Sequence, residues 1–275
     1  MCGITAFFAR ESSIDYNHLD TLFMGCERRG QDGFGFTLIK KDIQGNRKID
    51  YTYRNSKPYS LCKDEVRDQI SLHGGIGIGE LIIAITRAAP ETEGSTDENR
   101  IEQTMQPIVS LENGLVVVHN GAVSNKIHQE LKINSRNYGY EFKTDIDSEA
   151  ILAAYCIKER NMKDAMEYLS GGFASIIFDG KKDMLYTIVD FKPLAHSYLK
   201  GLGFFLHSDV ECIRDVIYKY TGCNRDGEFL WESWYGHLLS PGIREIDLQS
   251  GFMRKIKYSP RYITQTWDSN YKKSE

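Results

Sequence analysis

At 275 residues the chain can bury one large core or two small ones, and its 41% hydrophobic and 26% charged content is that of an ordinary globular protein. A net charge of −4 without a long basic run offers no phosphate-binding surface for nucleic acid and no attraction to an anionic membrane, which leaves small polar substrates or protein partners. No stretch is apolar and long enough to span a bilayer, and the N-terminus lacks the basic region and apolar core of a secretion signal, so the cytoplasm is the expected compartment.

In chain order, ITAFFA has the apolar and aromatic character of a strand, and HLDTLFMGCERR spaces its apolar residues for a helix ahead of the Gly-rich turn RRGQDGFG. FTLI follows as a strand, and polar and β-prone residues alternate from Lys40 to Lys57 around Gln44-Gly45-Asn46, which predicts a surface hairpin. CKDEVRDQI reads as the next helix. LIIAITRA and LVVVHNGAV are short apolar runs bounded by Gly and polar residues, as strands buried on both faces require. Between them ETEGSTDENRIEQTM is acidic and turn-rich, an expected exposed loop. Asp147 or Ser148 can cap a helix carrying Ile151, Leu152, Tyr155 and Cys156 at helical spacing. FASIIFDG and MLYTIVD form an expected hairpin around Gly180-Lys181-Lys182, followed by the strand GFFLHS and the helix DVECIRDVIYKY. Many strands with a few amphipathic helices predict an α+β fold of two sheets packed face to face with helices outside. Tyr258 to Glu275 is polar with scattered Tyr and Trp, an expected tail.

Six cysteines, Cys2, Cys26, Cys62, Cys156, Cys212 and Cys223, lack metal-ligand spacing, and the histidines show no HxxxH or HExxH, so no metal or other cofactor is expected. In a reducing compartment most are free thiols. SGGFAS carries Ala174 where a phosphate loop of the SGGxDS kind has aspartate, and GGIGIGE precedes a strand where a phosphate-binding turn requires a helix. His119 reads as a packing residue.

Cys2 alone has a chemical case. Met1 precedes a small residue and is of the kind usually trimmed, which leaves a cysteine holding both a thiol and a free α-amine. An α-amine has a pKa near ~7.7–8.0, so at neutral pH a useful fraction can accept the thiol proton. Asn120 and Gly121 are placed just after a buried strand, where a side-chain amide and a backbone N–H can point together at a developing oxyanion; such donors are worth on the order of 3 kcal/mol each. The plain alternative is an ordinary Asn-Gly turn.

MCGITAFFA, RGQDGFG, TRAAP, QPI, VVVHNGAVSN, TDIDSEAIL, LSGGFASIIFDG and FKPLAHSYL occur in that order. The set resembles the class II glutamine amidotransferase domain, above all the N-terminal half of glutamine-dependent asparagine synthetases, and covers Cys2 to about Asp209. The resemblance implies the four-layer α/β/β/α sandwich of N-terminal-nucleophile hydrolases, a domain over 2–257 and a tail over 258–275. It implies hydrolysis of L-glutamine through a Cys2 thioester. Arg87 matches the arginine that clamps the substrate α-carboxylate, a role suited to a planar guanidinium, and Asp147 the aspartate that binds its α-ammonium, with Asp145 the alternative if the register slips. Arg29 and Gly30 open the RGxDxxG turn that supports the nucleophile. AAPETEG matches the loop that closes over glutamine. The relatives continue into synthetase or isomerase domains, so a separate acceptor-activating synthetase is the expected partner. The competing expectation is an N-terminal-nucleophile amidohydrolase acting on a glutaminyl or γ-glutamyl compound without ammonia transfer.

Overall fold

The computed structural model describes residues 1–88, 104–221 and 234–257. ITAFFA lies in β1 (Gly3–Ala9), and because side chains alternate across a strand, Ile4, Ala6 and Phe8 enter one apolar layer while Phe7 and Ala9 enter another. The same alternation recurs in every central strand and divides the interior into three layers.

One sheet has the order β11-β9-β10-β1-β4-β2-β3, with β2 at Phe34–Lys41, β3 at Arg47–Asn55, β4 at Leu81–Thr86, β9 at Ala195–Leu199, β10 at Gly203–His207 and β11 at Trp234–Leu238. The other has the order β13-β12-β8-β7-β6-β5, with β5 at Ile108–Ser110, β6 at Leu115–Val123, β7 at Gly171–Asp179, β8 at Met184–Val189, β12 at Gly242–Asp247 and β13 at Met253–Ile256. All the pairings are antiparallel. Between the sheets lie Ile4, Phe8, Ile83, Ile85, Val116, Val118 and Ile176 among others.

The first sheet's outer face packs against helices α1 (Tyr16–Glu27), α2 (Tyr59–Leu72) and α6 (Val210–Thr221), through Phe23, Tyr59, Val66 and Ile213. The second sheet's outer face packs against α3 (Asn125–Asn134), α4 (Glu149–Ile157) and α5 (Met162–Tyr168), through Leu131, Leu152, Tyr155 and Met166. The result is the expected α/β/β/α sandwich. Each fully buried Phe or Leu contributes about 1.5–3 kcal/mol by leaving water.

The expected strands, helices and hairpins over 1–88 and 104–221 are present. Among the described residues β5, β9, β11, β12, β13, α3 and α5 are additional elements. Two local expectations need correction. Asn120 and Gly121 lie inside β6 rather than after it, because pairing with β7 continues through Val123↔Gly171. The capping expectation for Asp147 and Ser148 also fails: Ser148 stands at the N-cap of α4 without a side-chain cap bond, and its hydroxyl meets His119 Nδ1 at 2.9 Å. The loop after Arg87, from 89 to 103, and the tail 258–275 lie outside the described residues, as does Cys223. Cys2, Cys26, Cys62, Cys156 and Cys212 are free thiols.

His207 ties β10 to α1. Its Nδ1 accepts from Asp209 N at 2.8 Å, so Nε2 carries the proton and donates to Leu22 O at 3.0 Å. Burial lowers its pKa from 6.5 to about 4. The unfolded chain therefore binds the proton first: the neutral ring's contribution is complete above about 6.5 and is lost as pH falls toward about 4. This loss is on the order of 3 kcal/mol. His207→Gln should flatten the pH dependence of urea unfolding in that window, and an unchanged slope counts against the assignment.

Candidate functional site

Strand alternation brings three of the sequence-predicted residues, Cys2, Arg87 and Asn120, to one end of the inter-sheet layer. Cys2 continues the series Ile4, Ala6, Phe8 and packs against that layer. Asn120 continues Val116 and Val118 from the opposite sheet. Arg87, one residue past β4, continues Leu81, Ile83 and Ile85.

The Cys2 sulfur accepts from the Ala88 N–H at 3.5 Å. Burial pushes the Cys2 thiol pKa up; the Ala88 N–H, the N-terminal ammonium and Arg87 pull it down, and Asp147 adds a further upward push. The net shift is upward, so the thiol keeps its proton at neutral pH until a base removes it. The same balance shows that one guanidinium and one carboxylate both act on this sulfur.

Arg87 is buried and held by its main chain. Its N–H donates to Gly33 O at 2.8 Å, its C=O accepts from Asp32 N at 2.9 Å, and its Nη1 donates to Thr104 Oγ1 at 2.5 Å. The turn RGQDGFG therefore wraps the end of β4. A Cβ at Gly30 would stand 2.4 Å from Arg87 O, so only glycine allows this approach. Arg29 reaches across with Nη1 donating to Ser208 O at 2.9 Å, while Ser208 exchanges main-chain and hydroxyl bonds with Ile4.

Asp147 Oδ2 accepts from Val123 N at 2.7 Å, which aims the carboxylate at the end of β6. Asp145 is at the surface, paired with Lys132. The two aspartates are thus separated by environment. Glu149, itself buried, accepts from Tyr140 OH, Lys143 N, Thr144 N and Thr144 Oγ1, which fixes the segment leading to Asp147. His119 stands edge-on to Phe173, and burial lowers its pKa against the pull of Asp147.

Asn120 is 2% exposed, and its Nδ2 has no hydrogen-bond partner among the described residues. A buried amide donor left without a partner costs stability, and such groups recur where a ligand completes the bonding. Gly121 has φ +144°, and a Cβ there would lie 2.3 Å from Gly172 O. Ala88 was not legible as a site residue, because it acts only through its main chain; its place directly after Arg87 is the only signal.

A family profile described as "Glutamine amidotransferase domain" matches residues 95–215. The chain is 30% identical over 187 residues to 7-cyano-7-deazaguanine synthase of Saccharolobus solfataricus, covering 66% of this chain and 36% of that protein. It is 29% identical over 283 residues to glutamine–fructose-6-phosphate aminotransferase (isomerizing) of Clostridium acetobutylicum, covering 98% of this chain and 40% of that protein. Its fold is similar to glutamine phosphoribosylpyrophosphate amidotransferase from B. subtilis, with TM-score 0.62, 18% identity and coverage of 94% of this chain and 49% of that one. The chain thus spans less than half the length of each of these relatives.

Gly121→Ala should lower the unfolding free energy by roughly 1–3 kcal/mol, since the new methyl meets backbone at a positive φ. Gly114→Ala, at φ +65° with open space around it, should cost only about 1–2 kcal/mol. Urea denaturation of the two variants checks the order, and a smaller loss at Gly121 contradicts the close approach.

Proposed function

Because the chain belongs to the class II glutamine amidotransferases, enzymes built on the N-terminal-nucleophile fold, we propose that it hydrolyses L-glutamine to glutamate and ammonia and delivers the ammonia to an acceptor activated by a separate synthetase. One observation carries the substrate reading: among the described residues the Cys2 thiol lies in the fields of the Arg87 guanidinium and the Asp147 carboxylate. That pair complements the α-carboxylate and α-ammonium of an amino acid, with the side-chain amide left to face the sulfur.

In the proposed reaction, removal of Met1 exposes the Cys2 α-amine. The amine takes the thiol proton as sulfur attacks the amide carbon, and the carbonyl oxygen becomes an oxyanion. The Asn120 Nδ2, which has no hydrogen-bond partner among the described residues, and the Gly121 N–H are the donors assigned to that charge. The resulting α-ammonium returns the proton to the leaving nitrogen, ammonia departs, and a thioester remains. Water, deprotonated by the same amine, then releases glutamate and restores the thiol. The raised thiol pKa supports the need for such a base.

Ammonia delivery rests on the relatives, which are named as a synthase and an aminotransferase and share only part of their length with this chain. An N-terminal-nucleophile amidohydrolase acting on a glutaminyl or γ-glutamyl compound without ammonia transfer is the competing chemistry. Affinity purification from the native host, with ammonia and product measured with and without the recovered protein and ATP, separates the two: coupled product supports delivery, and glutamate release alone supports simple hydrolysis.

Cys2→Ala should abolish glutamine turnover with the fold preserved. Asn120→Ala should reduce kcat on the order of 100-fold or more, whereas Arg87→Ala and Asp147→Ala should chiefly raise KM. Steady-state kinetics distinguishes these patterns, and an Arg87→Ala variant with both constants unchanged rules out the carboxylate clamp. Intact mass of active protein should show Met1 absent; active protein retaining it eliminates the α-amine as base.

A further inference from the structure

The two halves of the site come from different sheets, Arg87 from the end of β4 and Asn120 from β6, and one short segment touches both. Its contacts begin at the edge of the second sheet. β5 pairs with β6 through Ser110↔Leu115, Val109↔Val116 and Ile108↔Val117. Continuing that antiparallel register by two residues sets Gln106 opposite His119. Main-chain pairing has ended there, yet the position is not left open. The His119 N–H donates to Gln106 Oε1 at 2.6 Å, and Gln106 Nε2 donates to the His119 C=O at 3.2 Å. A side-chain amide has the donor and acceptor of a peptide group, so it can replace the missing strand partner.

The residue held in this way directly precedes Asn120. A strand whose edge N–H and C=O are paired keeps its peptide planes fixed, and the direction of the next side chain follows from those planes. Two residues before Gln106, the Thr104 hydroxyl accepts from Arg87 Nη1 at 2.5 Å, while Met105 between them is buried in the inter-sheet layer. Met105 thus anchors a strap whose flanking side chains reach the arginine on one side and the Asn120 strand on the other.

We propose that Gln106 is a positioning residue for the Asn120 oxyanion donor, acting through His119, and that Thr104 is the corresponding positioning residue for Arg87. The inference rests on the glutaminase reading above. Gln106 does not touch the substrate: its effect is on where the Asn120 amide points when charge develops. A misplacement of about 1 Å at a reacting centre can cost on the order of 100-fold in rate.

The test uses the full chain. Gln106→Leu should lower kcat for glutamine about 10- to 100-fold with KM within about 3-fold. Alkylation of Cys2 by iodoacetamide needs no oxyanion donor, so its rate should stay within about 3-fold of the unmodified protein. In an Asn120→Ala background the added Gln106→Leu change should cost less than about 2-fold more, since its route to the reaction is already cut. Thr104→Val should raise KM with kcat retained. If Gln106→Leu does not fold, Gln106→Glu keeps the acceptor for the His119 N–H and removes the donor to its C=O, and should show the same kcat-selective loss in smaller measure.

An unchanged kcat in the Gln106 variant overturns the proposal. So does an alkylation rate that falls in step with kcat, or a full multiplicative loss in the Asn120→Ala background. Unchanged constants in Thr104→Val overturn the Thr104 half. If the unmodified chain turns over glutamine and loses it on Asn120→Ala while Gln106→Leu is unaffected, the positioning role fails and the functional reading stands. A chain without any glutaminase activity overturns both.

Discussion

Pairing of β1 on both sides is the constraint from which the site follows. Residues 3–8 are in register with β4, and residues 5–9 with β10, so the strand has no free edge along most of its length. Its helix-facing and sheet-facing side chains are buried alike. Cys2 is the first residue beyond this doubly held strand. Its position is therefore set by two hydrogen-bond ladders and two apolar layers, while the atom that reacts stands just outside them. Loops rarely fix a nucleophile so firmly, and the proposed chemistry needs that firmness, because the thiol must meet groups contributed by the other sheet.

Those groups come together because the sheets share an apolar layer. Alternate positions of β1, β4 and β6 fill it with Ile, Val, Leu and Phe, and where each series runs out its next member is Cys2, Arg87 or Asn120. The site is the polar termination of the core. This arrangement keeps the thiol in low-dielectric surroundings, which raises its pKa and strengthens the pull of Arg87 and Asp147 on any charge formed there.

Much of this was legible in the sequence. ITAFFA, LIIAIT and LVVV announce buried strands by composition, and TDIDSEAIL and HLDTLFMGCE announce helices by spacing. The order of motifs predicts that Cys2, Arg87, Asn120, Gly121 and Asp147 share one site, and the fold brings Arg87 and Asp147 within electrostatic reach of Cys2. The illegible parts depend on partners distant in sequence. Asn-Gly favours a turn locally, and only the glycine-bearing start of β7 lets β6 continue through it. Ser148 satisfies every local rule for a helix cap, yet its hydroxyl serves His119, 29 residues away. Gln106 carries no local signal for pairing with a strand. Its role appears only once β5 sets the register.

The backbone hold on Arg87 has a further consequence. The hydrogen bond that its N–H donates and the one that its C=O accepts, both with the turn after α1, and the contact of Gly30 against that C=O, leave the arginine's Cα little freedom to shift. With the guanidinium itself held by the Thr104 hydroxyl, on the proposed reading the span from guanidinium to sulfur works as a gauge of nearly fixed length. An amino acid with a side chain one methylene shorter than glutamine, anchored by the same carboxylate, presents its amide carbon about 1 Å or more short of the thiol, a gap that the pinned backbone cannot close. Selection for chain length follows from rigidity alone, without any group that touches the missing methylene.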